Sequence, residues 1–123
     1  MSYMGSQDAI SHRVARVVEE RLLATGQERL AYAVYEAIVS VRNADDDIRR
    51  LTGQITDSAQ TTLAALDAGQ HIHEPYIDRL GIDLKLAVTK RASGYYLLVA
   101  LLGQDEVTRM VTETKAHYAA KVE

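Results

Sequence analysis

The chain has 123 residues, 47% of them hydrophobic and 25% charged, with a formal net charge of −3 and no cysteine. That length suits one domain with a modest core, and the balance of apolar and charged residues is that of a globular chain rather than a disordered one. Disulfides, zinc–thiolate sites and thiol nucleophiles are excluded, and the slight acidic excess supplies no general attraction to nucleic acid or to an anionic membrane.

No apolar run reaches the length of a membrane span; the longest, Tyr95 to Leu102, is far too short. The first residues lack the charged and apolar regions of a signal peptide, so a cytoplasmic location is expected. All seven aromatic residues are tyrosine. The core must therefore be aliphatic, and the tyrosines belong at helix rims where the ring is dry and the hydroxyl wet.

Taken in order, the first helix is expected to start at Ser6 as N-cap, with Asp8 in its first turn. Ile10, Val14, Val17, Val18 and Leu22 then share one face. Gly26, at the left-handed position past the helix end, closes it and turns the chain into an antiparallel neighbour.

That neighbour, Gln27 to Asp67, dominates the sequence. Val34, Val41, Ile48, Ile55 and Thr62 repeat every seventh residue, and so do Leu30, Ala37, Ala44, Leu51 and Ser58. The two rows alternate in steps of three and four, which is one face of a helix about 60 Å long at 1.5 Å per residue. Asn43 to Asp47 could stop this helix and cap a new one, and Gly53 costs about 1 kcal/mol relative to Ala. The apolar phase nevertheless passes through both places unshifted, which favours one continuous helix. Asp45 with Arg49 and Asp46 with Arg50 have the i,i+4 spacing of helix ion pairs, and the aspartate run reads as a solvated face.

Gly69 is the expected end of the long helix, and Pro75, the only proline, suits the first position of the next. The segment Pro75 to Leu102 has two readings. Tyr76, Ile77, Leu80, Leu84, Ala87, Val88, Tyr95, Leu98, Val99 and Leu102 fit a helical face, with Asp83 as a second cap after Gly81. Ile82, Leu84, Leu86 and Val88 also alternate as a strand would, with Arg91 to Gly94 as the turn of a hairpin. The helical reading is preferred, because an isolated hairpin is marginal. Gly103 then closes the segment. Asp105 is expected to cap a last helix that carries Val107, Met110, Val111, Thr114 and Tyr118 on one side, with Asp105–Arg109 as another i,i+4 pair.

Chemistry has one candidate location. His71, His73 and Glu74 place two imidazoles and a carboxylate within four residues, a donor set suited to zinc, copper, nickel or iron, with Asp67, Asp78 and His117 as further donors. The sequence contains no His-Glu-x-x-His, no Glu-x-x-His and no Gly-x-Ser-x-Gly. A polar loop that happens to be rich in histidine is therefore the preferred reading, with no cofactor. Lys85, Lys90 and Arg91, with Arg79 before them and Tyr95 and Tyr96 after, form the single basic patch, too small to argue for nucleic acid.

These features predict an all-α fold: a single helical domain of about four helices around one long helix. The long apolar row exceeds what the shorter helices can cover. A homo-oligomer is expected, most simply a dimer, with Ile48, Leu51 and Ile55 at its interface. The leading function is that of a non-catalytic interaction or structural protein that self-associates through helix–helix packing. The alternative is a metal- or small-ligand-binding bundle that uses His71, His73 and Glu74.

Overall fold

The computed structural model describes residues 10–70 and 75–122 and consists of four helices: α1 (His12–Ala24), α2 (Glu28–Asp67), α3 (Pro75–Leu102) and α4 (Gln104–Val122). No described residue is in a strand. The fold is a small all-α bundle with a long central helix, and α2 runs 40 residues through both Asn43–Asp47 and Gly53 without a break. Shared burial of one face outweighs the local preferences for a stop, as the unshifted phase requires.

The described residues place the cap of α1 at Ser11, whose Oγ accepts a hydrogen bond from the Val14 amide at 3.2 Å. The expected cap, Ser6, lies outside them. The entry to α1 is pinned from two other helices. The Ser11 amide donates to Thr114 Oγ1 of α4 at 3.0 Å, and Arg42 of α2 donates to the Ile10 carbonyl at 3.0 Å. Glycines with positive φ stand where the α1–α2 and α2–α3 turns need them, at Gly26 (77°) and Gly69 (80°). The last helix begins at Gln104, so Asp105 lies inside its first turn rather than capping it.

Residues 75–102 are one helix, with no second start at Asp83 and no hairpin. The alternation of Ile82, Leu84, Leu86 and Val88 is the trace of a helix that is apolar on more than one side. Leu84 packs inward against α2, while Ile82, Leu86 and Val88 are exposed.

The core divides along the length of α2. Its N-terminal half, α1, α4 and the C-terminal half of α3 enclose a cluster centred on Ile10, Val34, Val41, Leu98 and Met110. A second, smaller cluster is made by α2 and α3 alone, from Leu51, Leu80 and Ala87 with Ile48, Ile55 and Leu84 packed around them. The bundle therefore continues as a two-helix arm.

Two crossings fix the register of α2 on α3. At one, Asp45, only 4% exposed, is paired with Arg91 Nε at 3.1 Å. At the other, Gly94 lies against α2 so closely that an added Cβ would stand 2.6 Å from Val41 Cγ2. The expected Asp46–Arg50 pair is replaced by i,i+3 pairs. Asp45 follows Ala44 onto the buried side and reaches across to α3, while Arg49 pairs with Asp46 and Arg50 with Asp47.

Gly94 and Gly53 should respond oppositely to alanine. Gly94→Ala gains helix propensity but overpacks against a branched side chain, and is expected to lose roughly 1–3 kcal/mol in urea denaturation. Gly53 has nothing within 4 Å of its built Cβ, so Gly53→Ala should gain about 0.5–1 kcal/mol. A Gly94→Ala protein as stable as the wild type would show that the two helices can separate at this crossing without cost.

Candidate functional site

Helix α3 is the most apolar of the four helices and the least one-sided. Its inner face follows from helical spacing: Leu80, Leu84, Ala87, Arg91, Gly94 and Leu98 turn to α2 and the core. The opposite face carries Ile82 (60% exposed), Leu86 (64%) and Tyr96 (77%), with exposed Thr89, Ser93 and Ala100 between and beyond them. A helix apolar all round is normally covered all round. Here α2 covers one side, and among the described residues none covers the outer stripe. Near the end of the arm, Leu63 and Leu66 of α2 are exposed as well.

Ile48, Leu51 and Ile55 have a different position from this stripe. Leu51 is 3% exposed, and Ile48 and Ile55 are partly buried around it. All three pack against Leu80, Leu84 and Ala87 of the same chain, so the long apolar row of α2 spends its middle on α3. His71, His73 and Glu74 lie outside the described residues. Among the described residues, no group of three or more His, Asp or Glu side chains could hold a metal ion, so Asp67, Asp78 and His117 do not converge there. The basic patch is split between faces. Arg91 turns inward to Asp45 and Tyr95 packs against the core, which leaves Arg79, Lys85, Lys90 and Tyr96 on the outside.

Electrostatic perturbation is concentrated elsewhere, where α1 meets α4. Glu106 accepts two bonds from Arg109 Nη2, at 2.6 and 2.7 Å, and is paired with Arg21 of α1. Arg109 also reaches Glu113 at 2.9 Å, in place of the expected Asp105. The hydrogen bond from Arg109 holds the Glu106 carboxyl below its ordinary range. Partial burial opposes this, and the charge of Arg21 adds to it. The same pairing raises Arg109. A cluster of this kind ties α1 and α4 together.

No family model, no curated protein and no solved structure matches this chain. The outer stripe of α3 was legible in one signal: Ile82, Leu86, Thr89, Ser93, Tyr96 and Ala100 step by four and three. A search for a single apolar face per helix passes over it, because α3 has two.

Because the Glu106 pKa is lower in the folded chain than in the unfolded one, the unfolded state binds more protons as the solution is acidified. The stabilisation is complete above the ordinary glutamate value of 4.5 and is lost as pH falls through the folded value. Glu106→Gln is expected to cost less than about 1 kcal/mol at neutral pH, since the ion pairs are near the surface. It should also flatten the fall of melting temperature between pH 5 and 3. An unchanged acid limb would mean that Glu106 contributes nothing to it.

Proposed function

We propose that this protein is a non-catalytic helical interaction protein that self-associates through helix–helix packing. One observation carries the reading. The most apolar helix of the bundle is covered on one side only, over an arm whose core is made by two helices. A stripe that exposes Ile82, Leu86 and Tyr96, with the small polar Thr89 and Ser93 between them and charged flanks, suits a surface covered by another chain. No helix of the described residues is long and apolar enough to cross a membrane. The reading includes a cytoplasmic location and a dimer as the simplest assembly.

The face that associates separates from the face that folds. Leu86→Asp places a carboxylate on the bare stripe. It should leave the far-UV spectrum and melting temperature nearly unchanged while weakening self-association by at least about tenfold, because a carboxylate buried without a partner costs several kcal/mol. Leu51→Asp should instead lower the melting temperature sharply, since Leu51 packs inside the arm. Sedimentation at several concentrations reads the first effect and thermal denaturation the second. A wild type that stays monomeric at high micromolar concentration would overturn the proposed function.

A further inference from the structure

The outer stripe of α3 also specifies what covers it. Ile82, Thr89 and Tyr96 recur every seventh residue, and so do Arg79, Leu86, Ser93 and Ala100, with the two sets interleaved. These positions have the a and d spacing of a coiled-coil seam, filled by Ile82, Leu86, Tyr96 and Ala100 with the polar Arg79, Thr89 and Ser93 among them. The residues that flank it are charged in an ordered way. On one flank stand Asp83 and Lys90, and on the other Asp78 and Lys85. None of the ion pairs among the described residues uses any of these four side chains.

We infer that the bare face of α3 pairs with α3 of a second copy of this chain, running antiparallel about a two-fold axis. The inference rests on the proposed self-association and specifies its geometry. In a parallel pair, each flank meets the opposite flank of the partner five residues further on. Asp78 would then face the partner's Asp83 and Lys85 the partner's Lys90, so every such contact is between like charges. In an antiparallel pair, each flank meets the same flank of the partner. Asp83 then faces the partner's Lys90, and the two-fold axis repeats the contact with the roles exchanged.

The seam fits the same register. Leu86 lies opposite the partner's Thr89 and Ile82 opposite the partner's Ser93, so each large side chain meets a small one and the helices can approach closely. Arg79 comes opposite the ring of the partner's Tyr96, a cation against an aromatic face. Attraction in one orientation and repulsion in the other is how charged flanks select between alternatives of similar apolar burial.

Charge reversal tests the orientation. Asp83→Lys and Lys90→Asp each convert both antiparallel contacts to like-charge pairs. Each single variant should dimerise roughly tenfold more weakly than the wild type at low salt, and less so at high salt. An equimolar mixture of the two variants restores both contacts and should dimerise as the wild type does, and so should the double variant Asp83→Lys/Lys90→Asp. Sedimentation reads the dimerisation, and circular dichroism checks that each variant is folded. Parallel pairing predicts the opposite sign, because each single reversal would then relieve a repulsion and tighten the dimer. Single variants that associate as well as or better than the wild type would overturn the inference and leave the proposed self-association standing. A monomeric wild type would overturn both.

Discussion

The antiparallel contact between α2 and α3 is the constraint on which the rest of this structure depends. It extends over both core clusters, whereas α1 and α4 add packing to the first alone. Its register is set by a small residue and a charge. Gly94 removes the side chain that would hold α3 away from Val41, and the buried carboxylate of Asp45 takes Arg91 across the interface. A shift of one residue would put a Cβ into Val41 or leave Asp45 in an apolar environment, and both are costly. Burial of polar groups here contributes uniqueness of alignment rather than strength.

This division of the chain explains why exposure and burial vary along a single helix. Around the first cluster, α2 has α1 as an additional neighbour while α4 closes the cluster from α1 and α3, and buried residues are frequent. Along the arm it has α3 alone, and each helix of a two-helix layer can hide only one side. The sequence of α2 suits this over most of the arm, with Thr56, Asp57, Gln60 and Thr61 on its outer side and exposed Leu63 and Leu66 only near its end. The sequence of α3 does not, because it continues to place Ile82 and Leu86 on the outside. That difference between two helices in the same pairing is the physical ground on which the proposed interaction surface is placed on α3.

Much of the fold was legible before any coordinates. The continuity of α2 followed from the phase of Val34, Val41, Ile48 and Ile55, because a helix that keeps one face to a core cannot lose register. Gly26, Gly69 and Pro75 marked element ends because each has a backbone conformation that the position requires. Arg50 and Arg109 take Asp47, Glu106 and Glu113 in place of the expected Asp46 and Asp105, because i,i+4 spacing alone does not select among several neighbouring acids. The site was less legible. Ile48, Leu51 and Ile55 were expected at an interface because they are the middle of the longest apolar row, and sequence gives no means of telling a partner in the same chain from one in another.

What the sequence by itself determined is the all-α class, the continuity of α2 and the element ends marked by Gly26, Gly69 and Pro75. Those properties depend on local conformation and on periodicity, which are written residue by residue. What only the tertiary structure decided is which of the two faces of α3 is taken by α2. Inner and outer faces of α3 have similar apolar content, and the choice falls to Gly94 and Arg91, which meet Val41 and Asp45 more than forty positions away in sequence. A close approach and a buried charge pair exist only between helices, so no property of either helix alone could show them.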